Sequence, residues 1–368
     1  MIEIPYVNLS AQWYDERDKL LPLIESVLAS GNYVGGDEIE HFENMAAQLC
    51  ETKYVVALNS GTDALICALR ALEIGPGDEV ITPPNSFVAS TAAIVQVGAR
   101  PVFVDVQADQ NIDPDLIPMA ITSHTRAIMP VHLSGRVAEM ESIETVAERH
   151  GLYIVEDAAQ AIGSRYREKP SGSLGTIGCF STHPLKNLNA CGDGGFLTTN
   201  DKYIAERVRL MRNHGMVDRE TITRFGQVSR MDALQAAVLC FRLERLFDVI
   251  EKRRRNANRY LVGLNSEKIF VPIEAENEFH SYHTFVIQVD RRNLLRKFLG
   301  SRGISTAIHY PIPIHLQPAA AYLGYGKGDF PITEKQAGRI VTLPINQYMT
   351  DQQVDYVVDS VNQFFEKD

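Results

Sequence analysis

The sequence of 368 residues predicts an α/β protein with a mainly parallel central sheet, followed by a smaller C-terminal α+β domain. Short runs rich in valine and isoleucine alternate with helical patterns from residue 53 to residue 157. Strands that alternate with helices at this spacing form a largely parallel sheet with helices on both faces. The alternation weakens after Gly195, and the rest of the chain mixes strands and helices. We therefore expect two domains, 1–250 and 251–368.

The elements follow from the local patterns. Apolar residues at helical spacing predict helices over 12–30, ending at Gly31, and over 37–50. Predicted strands lie at 53–59, 79–84, 101–106, 126–133, 152–157 and 196–200, with helices in the intervals and at 201–212. One long helix over 231–261 is expected to bridge the domains. Beyond it we expect strands at 283–290 and 305–311, and helices at 293–303 and 351–365.

Composition restricts the class of function. The net charge of -10 disfavours nucleic acid, which requires a basic surface. The five scattered cysteines show no CxxC spacing, so neither a disulfide framework nor a metal site is predicted. The N-terminus lacks a signal-peptide pattern, and no apolar run is long enough to cross a bilayer. We expect a cytoplasmic protein that acts on small molecules without membrane contact.

Ligands of parallel sheets bind at the carboxyl ends of the strands. This rule places Ser60-Gly61-Thr62, residues 83–87, His132 and Asp157 along one edge of the sheet. Asp157 ends a buried strand, where a carboxylate is costly unless a positive group meets it. A protonated pyridine nitrogen is one such group. A cap for a helix beginning at Ala158 is the structural alternative.

A second candidate is Lys186, which lies in the sparsely charged stretch HPLKNLNACGDGG. A lysine amine becomes a nucleophile when burial or a neighbouring cation lowers its pKa, and it can then form a Schiff base with pyridoxal phosphate. The alternative is an exposed loop lysine.

Other residues of the same edge suit such a cofactor. Gly61 and Thr62 stand at a strand-to-helix turn, where backbone N–H groups and the helix dipole favour a phosphate, and Ser181 is a second hydroxyl donor. Ordinary helix capping is the alternative for this turn. Phe87 is able to stack on a pyridine ring or to pack in the core. Gln160 is able to reach a ring hydroxyl or to lie on a polar surface.

Taken in order, several motifs closely resemble the DegT/DnrJ-type sugar aminotransferases, which are fold-type-I pyridoxal phosphate enzymes. The motifs are SGTDAL, VEDAAQAIGS, GSLGTIGCFSTHPLKNLNACGDGG, NHG at 213–215, SRMDALQAA at 229–237 and TAIHYPIPIHLQPA at 306–319. They span nearly the whole chain.

The resemblance implies specific roles. Lys186 would be the Schiff-base lysine and proton shuttle, Asp157 the partner of the pyridine nitrogen and Gln160 the contact to the ring hydroxyl. Gly61, Thr62 and Ser181 would hold the phosphate, and Phe87 would stack on the ring. Substrate contacts are implied for Tyr33, His309, Tyr310 and His315, with Asn32 and Tyr33 facing the site of the neighbouring subunit in a homodimer.

One position departs from the family pattern. Similar members commonly have an asparagine where this chain has Val228, and that asparagine approaches the cofactor phosphate of the partner subunit. Valine cannot donate a hydrogen bond. We expect the contact to be lost, with weaker cofactor binding, or to be replaced by Gln227 or Arg230.

The implied reaction is transfer of the amino group of L-glutamate, through pyridoxal and pyridoxamine phosphate, to a keto sugar. A nucleotide-linked 3-keto deoxyhexose is favoured over a 4-keto one, as in amino-sugar and polysaccharide biosynthesis. Alternatives are a keto substrate without a nucleotide, a sugar dehydratase of the same family, and a regulatory homologue without turnover. The dehydratases have histidine in place of the lysine, so Lys186 speaks against that alternative.

Overall fold

The protein is described here by a computed structural model covering residues 3–264 and 267–366. Its centre is a seven-stranded sheet in the order β1-β9-β8-β5-β4-β2-β3. The strands of this sheet are β1 (Tyr54–Leu58), β2 (Glu79–Thr82), β3 (Arg100–Phe103), β4 (Thr125–Ile128), β5 (Tyr153–Asp157), β8 (Ile177–Ser181) and β9 (Gly195–Thr199). All neighbouring pairs are parallel except the two that include β9. The prediction of a mainly parallel sheet is confirmed.

The described residues form twelve α-helices, of which the earlier ones cover both faces of this sheet and the later ones pack in the C-terminal part of the chain. They are α1 (Leu9–Ser30), α2 (Asp37–Leu49), α3 (Gly61–Ala71), α4 (Val88–Gln96), α5 (Ile117–Ala120), α6 (Met140–His150), α7 (Lys202–Met211), α8 (Ala233–Glu244), α9 (Leu246–Gly263), α10 (Arg292–Ser301), α11 (Pro331–Arg339) and α12 (Asp351–Glu366). Along β1, Val56 and Leu58 pack with α3, α4 and α7, whereas Val55 and Ala57 pack with α2 and α8. A strand whose successive side chains enter two cores is buried on both faces.

The remaining strands form two small sheets. A three-stranded one contains β6 (Arg165–Tyr166), β7 (Lys169–Pro170) and β10 (Glu278–Phe279), and a two-stranded one pairs β11 (Phe285–Gln288) with β12 (Ile340–Leu343). Short 3-10 helices lie at Pro114–Leu116, Leu133–Gly135, Ile314–Leu316 and Pro318–Leu323.

A separate C-terminal core surrounds β11 and β12. It is built from apolar side chains of α9, α10 and α12 together with Ile4 from the N-terminus, which pairs with Ile304. Helix α9 belongs to two cores, because Leu246 and Ile250 pack against the main sheet while Ala257 and Tyr260 pack in the C-terminal core. The predicted boundary at residue 250 falls within this helix and stays a prediction.

Several expectations from the sequence need correction. The long helix predicted over 231–261 is two helices that meet at Arg245, where φ is -101° and ψ is 0°. The strand expected at 305–311 is reduced to one bridge between Ala307 and Thr342, because the following prolines cannot donate to a ladder. Residues 177–181, predicted as part of a loop, form β8, and β12 and α11 were not predicted.

Glycine explains why β8 was missed. A Cβ atom at Gly178 would clash with the backbone of Gly172, so the strand requires glycine for close approach rather than as a turn. Strand β8 lies next to β5 and ends at Ser181, which brings Asp157 and Ser181 to the same edge of the sheet. In the part of the chain described here, no helix is long and apolar enough to cross a membrane.

Candidate active site

A cavity of about 460 Å³ opens at the carboxyl ends of the central strands and extends to residues of the C-terminal core. Its volume lies in the range of small-molecule sites. Nine predicted site residues line it, namely Gly61, Thr62, Phe87, Asp157, Gln160, Ser181, Lys186, His309 and Tyr310. We refer to it below as the cavity.

The N-terminus of α3 forms one end of the cavity. Ser60 caps this helix, accepting a hydrogen bond from the Asp63 N–H at 3.1 Å, so the capping alternative is correct for Ser60. The N–H groups of Gly61 and Thr62 have no protein acceptor among the described residues. A Cβ atom at Gly61 would lie 2.7 Å from Ser181 Cβ. The turn therefore packs directly on Ser181 and leaves N–H donors where an anion is favoured.

Asp157 ends β5 inside the cavity and is only 5% exposed. Its Oδ2 accepts from Ser90 Oγ at 2.6 Å, and its Oδ1 accepts from the Ala159 N–H at 3.2 Å. No helix begins at Ala158, so the helix-cap alternative for Asp157 is wrong. Among the described residues no lysine, arginine or histidine forms an ion pair with this carboxylate. A buried anion that faces a cavity and forms no ion pair among these residues suits a protonated ring nitrogen.

Lys186 lies in the loop between β8 and β9 and lines the cavity. Its side chain is half-buried rather than exposed, so the exposed-loop alternative is wrong. Burial lowers the pKa of the amine from 10.5 to about 8, although the Asp157 carboxylate opposes that shift. A substantial neutral fraction near physiological pH makes this amine a nucleophile and a base.

The loop that holds Lys186 is fixed by a buried polar network. Asn189 and Gln12 exchange two side-chain hydrogen bonds of 3.0 Å, and Asn189 Nδ2 also donates to the carbonyl of Pro184 at 2.8 Å. Arg242 donates to the Asn189 carbonyl at 2.6 Å and pairs with Glu16 at 2.8 Å. Helices α1 and α8 thus hold Asn189, which in turn bonds to Pro184 on the other side of Lys186.

Phe87, Tyr310 and Gln160 form one wall of the cavity. Phe87 is 55% exposed, which excludes the core-packing alternative, and its ring centroid lies 5.7 Å from that of Tyr310. Gln160 is buried rather than on a polar surface. Its Oε1 accepts from the Ser134 N–H at 2.8 Å, and its Nε2 donates to Tyr310 Oη at 3.4 Å.

Of the three histidines considered from the sequence, one lines the cavity and two lie outside it. His309 lines the cavity, bonds to Thr342 Oγ1 at 3.0 Å, and has a pKa lowered to about 4 by burial and the Lys186 ammonium. His315 lies outside, where it is buried against Phe330 and bonds to Glu334 at 3.1 Å. His132 also faces away from the cavity and bonds to Glu156 at 2.9 Å.

Two predicted positions concern a partner subunit. Tyr33 is 49% exposed and does not line the cavity of its own chain, and its Oη donates to the Leu28 carbonyl at 3.2 Å. Val228 is likewise exposed and pairs through its backbone with Asn213. Its suggested substitutes are engaged within their own chain, Gln227 with Arg70 at 2.6 Å and Arg230 with Asn213 at 3.0 Å.

Sequence reasoning missed three residues of this site, namely Ser90, Arg253 and His283. Ser90 lies on α4 and is buried against Asp157; nothing in its neighbourhood singles it out. Arg253 belongs to a run of three arginines that resembles a solvated surface. Its spacing from Ile250, Ala257 and Tyr260, however, places it on the buried face of α9.

The residues present fit pyridoxal phosphate. Anion donors, a buried carboxylate, an aromatic ring and a lysine of lowered pKa face one cavity of suitable size. Comparison with known proteins agrees with this arrangement, since a profile of the DegT/DnrJ/EryC1/StrS aminotransferase family matches residues 15–362. The chain belongs to this family.

A relative and a solved structure are similar over nearly the whole chain. A relative from Streptomyces venezuelae, dTDP-3-amino-3,4,6-trideoxy-alpha-D-glucose transaminase, is 42% identical over 366 residues, covering 99% of this chain and 97% of the relative. The crystal structure of S. venezuelae DesV in complex with a ketimine intermediate matches with a TM-score of 0.97 and 42% identity, covering 100% of this chain and 99% of the other.

A third comparison concerns the cofactor. The crystal structure of NtdA from Bacillus subtilis with bound PMP matches with a TM-score of 0.92 and 32% identity, covering 100% of this chain and 86% of the other. The protein is thus a fold-type-I, pyridoxal phosphate-dependent sugar aminotransferase.

Proposed function

We propose that the protein transfers the amino group of L-glutamate to the 3-keto group of a nucleotide-linked deoxyhexose. The observation that carries the proposal is the presence, in one cavity, of the Lys186 amine of lowered pKa and the buried, ion-pair-free Asp157 carboxylate. Reaction at C3 rather than C4 is supported by the name of the S. venezuelae relative, a 3-amino sugar transaminase.

The cofactor would be held by residues of the sheet edge. Gly61, Thr62 and Ser181 would donate to its phosphate, Phe87 would stack on its ring and Gln160 would contact the ring hydroxyl. Asp157 would keep the pyridine nitrogen protonated. Pyridoxal phosphate, when bound, supplies a ring that withdraws electrons from a neighbouring carbanion.

Lys186 would act as the general base and acid. Its Nζ would take the proton from the carbon that bears the donor's amino group and hold it for return, and in the second half-reaction it would deliver a proton to the carbon of the sugar that is aminated. A pKa near 8 lets the amine accept and release a proton at physiological pH. The Asn189 network would keep Nζ in one position during these transfers.

The sugar would contact His309 and Tyr310, which line the cavity. His315 would not touch the sugar, and its contacts with Glu334 and Phe330 would instead stabilise the segment that carries His309 and Tyr310. We infer a homodimer in which Tyr33 and Asn32 reach the site of the partner subunit. Tyr33 and Val34 are neighbouring exposed apolar side chains, which supports a covered surface at this position.

We place the reaction in the cytoplasm. All five cysteines are free thiols, as in proteins of a reducing compartment. Nucleotide-linked sugars are the substrate class that the relative's name supports.

The decisive experiment is amination of a panel of keto sugars, with and without a nucleotide, with L-glutamate as donor. We expect glutamate-dependent formation of a 3-amino sugar, with the position read by NMR. Amination at C4, or only of sugars without a nucleotide, would replace this assignment. Lys186→Ala should still bind pyridoxal phosphate but lose turnover, and retained turnover would contradict the role of Lys186.

A further inference from the structure

We propose that Arg253 and His283 form the binding site for the α-carboxylate of the amino donor. This inference rests on the proposed function, since it requires an amino acid as donor. Both residues line the cavity, and both belong to segments of the C-terminal core rather than to the sheet edge that would hold the cofactor.

Arg253 is a buried cation that pairs with no carboxylate of the described residues. It is 4% exposed, and its Nη1 donates to the carbonyls of Tyr282 and His283 at 3.2 and 3.1 Å. Its Nη2 donates to Gln347 Oε1 at 3.3 Å. Within residues 3–264 and 267–366, no carboxylate forms an ion pair with this guanidinium. Three neutral acceptors thus fix its orientation and leave its charge uncompensated.

The missing counter-charge is energetically significant. Burial lowers the pKa of Arg253 to about 10, so the guanidinium remains protonated at neutral pH. A buried charge without a partner is costly, and an anion that enters the same low-dielectric region offsets part of that cost. This part of the cavity is therefore prepared for an anion.

His283 makes the same region a donor site. Burial, the Lys186 ammonium and the Arg253 guanidinium hold the pKa of His283 well below its usual value, so its imidazole is neutral and carries one N–H. Its Nδ1 has no hydrogen-bond partner among the described residues. The carbonyl of His283 is held by Arg253, so the two side chains are positioned together.

The position of Arg253 and His283 in the cavity indicates which anion they would bind. The cofactor phosphate has its own donors at Gly61 and Thr62, at the N-terminus of α3. Arg253, His283 and Lys186 line the same cavity, so the uncompensated cation shares the cavity with the reacting amine. The α-carboxylate of an amino acid is attached to the carbon that bears its reacting amine. The phosphates of a nucleotide sugar are attached through C1, and are therefore several bonds farther from the keto carbon than an α-carboxylate is from its amine-bearing carbon.

The test separates the two half-reactions of the holoenzyme. We would measure Arg253→Gln, Arg253→Lys and the control Arg255→Gln, which removes an exposed charge of the same helix. Arg253→Gln should raise the half-saturating L-glutamate concentration by roughly tenfold to a hundredfold, as expected for a charge-assisted hydrogen bond. It should change the KM of the keto sugar by less than about threefold. Arg253→Lys should lie between, and Arg255→Gln should match the wild type.

A second measurement does not depend on how much protein folds. The ratio of kcat/KM for L-glutamate to that for 4-aminobutyrate, which lacks the α-carboxylate, should be large in the wild type and should fall at least tenfold in Arg253→Gln. An unchanged ratio, or equal losses in both half-reactions, would overturn the assignment. If the wild type used another amino acid instead of glutamate, only the donor identity would fail, and the same ratio would be measured with that amino acid and its decarboxylated amine.

Discussion

Asn189 closes the loop that holds Lys186 by donating from Nδ2 to the carbonyl oxygen of Pro184 at 2.8 Å. The same side chain exchanges two hydrogen bonds with Gln12 of α1. Helix α1, which is remote from Lys186 in sequence, is thereby connected through Asn189 to the residues that flank the reacting amine.

Asn189→Ala should therefore lower both stability and turnover. The buried Gln12 amide loses both of its hydrogen bonds to Asn189 and keeps only the one to Glu16, which costs about 1–3 kcal/mol of unfolding free energy. Misplacement of Lys186 should reduce kcat on the order of tenfold to a hundredfold, measured at a temperature where the variant is fully folded. The control is Glu25→Gln on the exposed face of α1, which should match the wild type. A variant with reduced melting temperature and normal kcat would show that the network serves folding alone.

Gly61→Ala should impair cofactor binding at the phosphate end. The added methyl would lie 2.7 Å from Ser181 Cβ and 3.0 Å from Ser181 Cα, so the turn and β8 must separate. We expect the Kd for pyridoxal phosphate, measured by equilibrium dialysis, to rise at least tenfold, or about 1.4 kcal/mol.

The matched control for that substitution is Gly300→Ala in α10, where a Cβ atom meets nothing within 4 Å. There alanine should stabilise the protein by up to about 1 kcal/mol, because glycine is the poorer helix former, and cofactor affinity should not change. Equal cofactor affinity in Gly61→Ala would show that the turn has room to adjust.

Ser90→Ala tests how Asp157 is held. Its Oγ donates to Asp157 Oδ2 at 2.6 Å, and loss of such a bond costs about 1 kcal/mol. We expect the affinity for pyridoxal phosphate to fall about threefold to tenfold, with a shift of the visible absorbance of the bound cofactor. Ser301→Ala removes a comparable serine hydrogen bond from an exposed helix end and should leave both quantities unchanged. An unaltered spectrum in Ser90→Ala would argue that Asp157 needs no support from Ser90.

The lowered pKa of Lys186 predicts a pH dependence for the apoprotein. The rate of covalent capture of pyridoxal phosphate should rise with pH and level off above about 8, the pKa of the buried amine, rather than near 10.5, the pKa of a free lysine. Stopped-flow absorbance measures this rate. A profile still rising at pH 10 would show that burial does not govern the amine.

The same shift affects stability in a defined direction. Between about pH 8 and pH 10.5 the unfolded chain binds the Lys186 proton more than the folded one does, so this group makes the protein more stable as pH rises through that window. Lys186→Met should remove that increment, and the difference between the two apoproteins in chemical denaturation across the window measures it.

Much of this architecture could be predicted from the chain because apolar periodicity is local. The strands around Asp157 and the caps at Gly31 and Ser60 depend on neighbouring residues alone. Strand β8 could not be recognised, since its glycines are required by the approach of Gly172, a contact distant from the strand's own pattern.

The candidate site shows the same division. Asp157 and Lys186 were found because their residue types are unusual in apolar or sparsely charged surroundings. Arg253 was missed because three consecutive arginines resemble a surface, although only Arg253 lies on the buried face of α9. The break at Arg245 has no sequence signal of its own, since neither glycine nor proline marks it.

Helix α9 has one end packed against the main sheet and the other in the C-terminal core, and this arrangement also determines how the protein unfolds. Separate domains ordinarily melt as separate cooperative units. Here Leu246 and Tyr260 are fully buried in different cores but belong to one hydrogen-bonded helix. Loss of either core frays the helix that completes the other. Heating should therefore give one calorimetric transition, with the calorimetric and van't Hoff enthalpies in agreement.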